Sequence, residues 1–368
     1  MAANEIAYSD LPVPPGEYLE EVIGELGMTK DELARRMDRP APKLSSIFKG
    51  EKAITPDTAL QLEKVVGVPA HIWTGLESEY RLALARRQEG EEQKRLKAES
   101  RMVQNFCYRA LARLGMVAKK TRPSDKVLEL QRFFGVTSLK NILEVRRYQA
   151  AFRFGSGGKE KRSSEAVAAW LRIGELKARS IQTSPFRAGA VKKALASIRP
   201  MTRIPPERFL DNLCKYLAEA GVAFVLCPHL PGTYVHGATF WAGREKAVLM
   251  MTIRGRWADI FWFSLFHELG HILLHGRQAV FLEGDNHDPA FQEQEDEASR
   301  FAADTLIPPE EYSKFTQDRR FYPEDIVAFS ERTNVDPGIV VGRLQYDGHL
   351  DPSWHNNLRT RFEWKQDT

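Results

Sequence analysis

Between Trp257 and His275 the chain runs through Ile260-Phe261-Trp262-Phe263 and Leu265-Phe266 into His267-Glu268-Leu269-Gly270-His271, then Ile272-Leu273-Leu274. A helix drawn through this stretch is apolar nearly all round, so it belongs inside a core. Ionisable groups are costly there unless paired or ligated, yet two histidines and a glutamate sit mid-run. Positions i and i+4 of a helix share a face. The imidazoles of His267 and His271 can therefore grip one Zn²⁺, each with a nitrogen at roughly 2.0–2.1 Å. Glu268 between them is left to take a proton from water at the ion. The chain must build a core around a metal-competent helix.

Zinc needs a third protein ligand. Leu274 and Arg277 stand where an extended motif would continue with Gly and His. A later helix is the source the sequence offers, over Glu293 to Asp304, with Ala298, Phe301, Ala302 and Leu306 at helical spacing and Pro308-Pro309 closing the run. Glu295, three before Ala298, falls on its apolar side and is the candidate third ligand. Glu297 points elsewhere and is the reserve. Glu293 and Asp296 read as a solvated first turn that complements the helix dipole.

This pair of helices, HELGHILLH followed by EDEASRFAADTLIP, resembles the ImmA/IrrE family of metallopeptidases. The resemblance implies His267, His271 and Glu295 as metal ligands, Glu268 as general base and Zn²⁺ as cofactor. It also implies a gluzincin-like endopeptidase that cuts a transcriptional regulator or antitoxin-like protein. After the helix Ala the family commonly has Asn or Asp, which can brace a ligand imidazole; here the residue is Ser299. His275 is frequent in the family, but its angular position does not make it a ligand. Upstream, Val222 to Leu226, Gly237 to Trp241 and Ala247 to Thr252 read as strands. In zincin folds such a sheet lies beside the metal helix, and its edge can hold an extended peptide. His229, Tyr234 and His236 precede or enter these strands, and any one of them could stabilise an oxyanion.

The chain has 368 residues, 43% hydrophobic, enough for two or three domains with cores of their own. No uncharged stretch reaches the ~20 residues of a membrane span. The three cysteines are too few and too scattered for a disulfide framework. The chain reads as soluble and cytoplasmic. Its net charge of +4 conceals an asymmetry. Residues 1–80 hold 8 basic and 14 acidic side chains, residues 81–200 hold 28 and 10, and the remainder 17 and 25. The basic middle can attract a polyanion or neutralise the acidic flanks. A Gly155 to Lys159 loop lacks phosphate-loop spacing and reads as a linker.

The N-terminal part is a series of short helices. Thr29 opens one with Glu32 in capping-box position, Asp38 to Pro42 turns, Lys43 to Lys49 is a short helix, and Thr55-Pro56 opens the next. Helix, tight turn and short helix make a helix-turn-helix. Pro15-Gly16-Glu17-Tyr18-Leu19, Ile54-Thr55-Pro56-Asp57-Thr58-Ala59-Leu60 and His71-Ile72-Trp73 resemble the HigA-type antitoxin domain. The resemblance implies DNA as a partner, with Lys43, Ser45, Ser46 and Lys49 able to reach bases or phosphates; the acidic balance of the unit points to a small domain that docks protein or dimerises on DNA. The expected architecture is α+β, mainly α. It comprises an all-α helix-turn-helix domain over 12–80, a basic helical connector over 81–189, a zincin-like domain with a small sheet over 190–310, and a helical extension over 311–368. The alternative function is an antitoxin or repressor whose zincin domain is a sensor or scaffold without proteolysis.

Overall fold

The computed structural model describes residues 12–149, 163–275, 280–284, 292–317 and 319–364; the Gly155–Lys159 loop and His287 lie outside them. The chain divides into two compact units, Met1–Ala98 and Glu99–Thr368.

The first unit is helical throughout its described residues: α1 (Pro15–Glu25), α2 (Lys30–Arg36), α3 (Ala41–Phe48), α4 (Pro56–Val66) and most of α5 (Ala70–Glu99). The caps are those written in the sequence. Thr29 Oγ1 accepts from the Glu32 amide, and Thr55 Oγ1 from the Thr58 amide. Pro56 starts α4 and Gly67 closes it in the left-handed conformation. One apolar side of each helix supplies Leu19, Ile23, Leu33, Leu44, Ile47 and Leu62 to a shared core, closed by the fully buried Trp73. The Trp73 indole donates to the Val68 carbonyl at 3.1 Å, so its polar atom is satisfied.

The second unit holds α6 (Tyr108–Arg113), α7 (Pro123–Phe134), α8 (Ser164–Ser180), α9 (Ala188–Ile198) and α10 (Pro206–Glu219). A sheet follows, with β1 (Val222–Leu226), β2 (Val235–Trp241) and β3 (Ala247–Met251), then α11 (Ala258–Leu274) and β4 (Phe281–Gly284). The unit ends with α12 (Gln292–Leu306), α13 (Pro309–Gln317), α14 (Pro323–Thr333) and α15 (Pro337–Tyr346). Strand order is β1-β3-β2-β4, with β1 parallel to β3 and the other pairs antiparallel. The sequence reading placed three of these strands and missed β4.

α11 lies at the centre. The sheet covers it through β2, β3 and β4, and α12 and α15 pack on its other sides. This is why its apolar residues run all round: Phe261, Trp262, Leu265, Phe266 and Leu269 each find a neighbour in one core. That core draws on residues from Val191 to Phe362. The stretch 311–368 is thus part of the unit, since Ile326, Phe329, Val340 and Leu344 are fully buried in it. The stretch before 190 is equally integral. α8 packs on β1 and β3 with Ala166 to Ile173 buried. At Gly174 an added Cβ would lie 1.9 Å from Met250 Sδ, so helix and sheet approach as closely as glycine permits.

The entry to α11 is tied to the C-terminal segment. Arg359 donates from Nη2 to Asp259 Oδ2 at 2.7 Å and from Nε to Oδ1 at 3.1 Å, with both side chains at most 10% exposed. Burial raises the Asp259 carboxyl above its usual range, and Arg359 opposes that rise. Arg359→Ala would strand this carboxylate in the core and should cost about 3–5 kcal/mol. Lys94→Ala, which breaks an exposed pair with Glu91, should stay within about 0.5 kcal/mol of wild type. Urea denaturation of the three proteins checks both values.

Candidate metal centre

α11 carries His267 and His271 one turn apart, and α12 brings Glu295 against them. The two helices cross closely at Gly270, where an added Cβ would lie 3.2 Å from Ala298 Cα. The small residues Gly270 and Ala298 let the backbones approach, so a carboxylate one turn before Ala298 reaches the imidazoles. His267 Nε2 is 3.1 Å from Glu295 Oε2, His271 Nε2 is 3.5 Å from Oε1, and the two Nε2 atoms are 2.9 Å apart. All three residues are buried, at 2%, 2% and 4% exposure.

Hydrogen-bond polarity shows what this group can hold. Burial drives the His271 imidazolium pKa down to about 4, although the neighbouring Glu295 carboxylate pulls the other way, so the ring is neutral at pH 7. His271 Nδ1 lies 2.9 Å from His275 Nδ1, and His275 Nε2 lies 3.1 Å from Glu297 Oε2. A carboxylate only accepts, and a neutral imidazole has one donor and one acceptor. For neutral rings, His275 therefore donates to Glu297 and accepts from His271 Nδ1–H. His271 Nε2 is left with a bare lone pair. On the other side Ser299 Oγ is 3.2 Å from His267 Nδ1 and can accept its proton, which bares His267 Nε2 as well. Three acceptor atoms then converge within 4.8 Å. Such a cluster repels itself unless a cation sits among its members. Tetrahedral zinc, with ligands at about 2.0–2.1 Å, would hold them roughly 3.3 Å apart, which falls inside the 2.9–3.5 Å observed. The donor set fits a divalent ion.

Glu268 is 0% exposed, its carboxylate tucked beneath β2. A Cβ at Gly237 would lie 2.7 Å from Glu268 Oε1 and 2.8 Å from Cγ, so only glycine leaves room. A glycine inside a strand signals close approach, but not what approaches. Phe281, from the unforeseen β4, stacks on His271 at 4.1 Å and 16°. Nothing in the sequence pointed to that ring, because it depends on a short strand returning beside α11. Among the three oxyanion candidates, His236 lines a cavity with His267 and Ser299; His229 and Tyr234 do not line it. Glu297, the reserve ligand, faces His275 instead of the three-residue group.

In the first unit Lys43, Ser45 and Ser46 lie on α3 and Lys49 caps it. Lys43, Ser45 and Lys49 are exposed, and Ser46 is half-buried with its Oγ 3.3 Å from the Pro42 carbonyl. The four share the side of α3 turned away from Leu44, Ile47 and Phe48, which are buried.

Residues 260–345 match the IrrE N-terminal-like domain of the peptidase M78 family, and residues 19–73 match the helix-turn-helix model. The second unit thus carries an IrrE-like domain of the peptidase M78 family. The first unit is a helix-turn-helix domain of the DNA-binding kind. An uncharacterized HTH-type transcriptional regulator of Escherichia coli (strain K12), YddM, is 32% identical over 71 residues, which are 19% of this chain and 76% of that protein. Virulence-associated protein I of Dichelobacter nodosus is 31% identical over 74 residues, 20% of this chain and 68% of that protein. A solved HigA-family antidote protein from Coxiella burnetii is 33% identical, with 23% of this chain and 91% of that one aligned at a TM-score of 0.21. Among the described residues, no helix is long and apolar enough to cross a membrane.

The His271–His275–Glu297 contacts make a measurable claim. Glu297→Ala or His275→Ala frees the His271 ring to turn or change tautomer, and zinc affinity should fall about 10–100-fold. Chelator competition reads that fall. An affinity equal to wild type in both variants would show that these contacts do not orient the ring.

Proposed function

We propose that this chain is a zinc-dependent endopeptidase that cleaves a transcriptional regulator or antitoxin-like protein, and that its helix-turn-helix unit binds DNA. The observation that carries the catalytic half is the buried convergence of His267, His271 and Glu295 next to Glu268. A zinc ion held by the two Nε2 atoms and a Glu295 oxygen would supply Lewis acidity at the scissile carbonyl. Glu268 accepts the proton of the attacking water at its carboxylate and returns it to the leaving nitrogen. Gly237 leaves that carboxylate its space, and the enclosing core excludes bulk water from it.

The nucleic-acid half rests on the helix-turn-helix match and on the exposed side of α3. We assign Lys43 and Lys49 to phosphates, and Ser45 and Ser46 to base edges or phosphates. Recognition of DNA would bring the peptidase to regulators seated on the same operator.

Two experiments test the two halves separately. Zinc-loaded protein incubated with regulators encoded beside it should give a discrete cleavage product. Glu268→Gln should slow its formation at least ~100-fold while zinc content stays unchanged. Cleavage that survives this substitution removes Glu268 as the base. A gel-shift titration on the chain's own promoter should show Lys43→Ala and Lys49→Ala each reducing the salt slope by about 1. Equal DNA shifts by wild type and Glu268→Gln, with no proteolysis of any regulator, would favour a repressor whose metal domain senses or scaffolds.

A further inference from the structure

Beside the metal-competent group lies a cavity of about 550 Å³, within the range of sites that take small ligands or peptide side chains. Its walls are mostly helix faces. α11 contributes Ile260, Phe263 and His267, α12 contributes Ser299 and Ala303, α15 contributes Ile339, and His236 of β2 and Ile307 just past α12 also line it. His267 and Ser299, already in contact at 3.2 Å, mark the end at which the cavity meets the site. Phe263 sits next along α11, its ring tilted against the His267 imidazole with centroids 6.2 Å apart.

The charges around this space are largely spoken for. Asp259 is held by Arg359, and Arg343 Nε donates to Asp347 at 2.6 Å. Arg300 and Asp304, one turn apart on α12 and exposed, carry opposite signs. Away from these charges the lining is mainly aliphatic and aromatic, with His236, Ser264 and Ser299 among its polar members, so a charged side chain seated there would lose most of its hydration. An apolar one would leave water for a matched surface.

We infer that this cavity is the specificity pocket of the proposed peptidase, taking a large uncharged apolar side chain, such as Leu, Ile, Met or Phe, next to the scissile bond. Phe263, Ala303 and Ile339 set its size. The inference rests on the peptidase reading above. It adds a substrate class: an extended protein segment with an apolar residue at the cleaved bond, and not an acidic or basic one.

The test uses binding, so that failure of the pocket and failure of the metal centre look different. The zinc-loaded full chain is titrated calorimetrically with peptide hydroxamates that share one backbone and vary the adjacent side chain among Gly, Leu, Phe, Asp and Lys. The Leu and Phe probes should bind roughly 10–100-fold more tightly than the Gly probe, and Asp and Lys no more tightly than Gly. Ala303→Phe, which fills the cavity, should erase the Leu-over-Gly preference while the Gly probe still binds. Should Ala303→Phe fail to fold, Ile339→Ala enlarges the same wall and should move the preference from Leu toward Phe. Binding blind to side chain, or strongest for Asp or Lys, overturns the pocket and leaves the metal centre standing. Binding of none of the probes overturns the metal-centre reading and the pocket with it.

Discussion

The second unit is organised around the cost of removing charge-bearing groups from water. His267, Glu268, His271 and Glu295 are all at most 4% exposed, on the apolar α11 and on the side of α12 that packs against it. An isolated ionised group in such a place costs several kcal/mol even after relaxation. The fold meets that cost by mutual contact: three acceptors pointed at one spot become favourable once a cation stands there. The surrounding apolar mass then has a purpose beyond stability. With water held off, a cation and a base act in a low dielectric, where each interaction is stronger than at a surface. The sheet, α12 and α15 enclose α11 so that every residue from Ser264 to Ile272 is buried.

Enclosure alone does not aim an imidazole. The aiming comes from atoms one shell further out. Ser299 stands on the rear nitrogen of His267, and His275 on that of His271. The second connection ends at Glu297, whose side chain is half in solvent. Water still reaches a carboxylate in that position, and its acceptor character is passed inward through His275. A buried carboxylate in the same role would have needed a counter-ion of its own. This also explains why two glutamates two residues apart on α12 differ so much in burial: Glu295 faces Gly270's side of the crossing and Glu297 the helix end.

The centre of the fold was legible from local pattern. An all-round apolar helix with two histidines at i and i+4 is hard to place anywhere but a core, and Glu295 follows from counting back one turn from Ala298. Three strands showed as β-rich runs between turns. What escaped depended on distant partners. β4 is four residues long and has meaning only through its pairing with β2. The stretch before residue 190 looked like a charged connector because charge was weighed by composition. In the structure Arg172 donates to the Phe133 carbonyl and to Glu175, and Glu175 also receives Arg147, Arg179 and the Tyr148 hydroxyl. The shared carboxylate offsets part of that positive charge, and α8 can then bury most of its remaining surface as core.

Charge bears differently on the first unit. Residues 1–80 carry more acidic than basic side chains, and the exposed side of α3 with its cap offers two lysines. Affinity for DNA grows with the number of phosphates neutralised, and tight binders commonly make six to ten such contacts. If these two lysines are the phosphate contacts, as proposed, each copy alone would bind weakly. A second copy on an adjacent half-site would double the count and convert its own binding into an intramolecular step. Weak single-copy binding also suits a module that delivers an activity, because a carrier that rarely lets go samples few targets. The acidic balance of the unit is then no argument against DNA. Under the proposed reading it would set a low affinity per copy, and occupancy would then depend on how many copies assemble on one site.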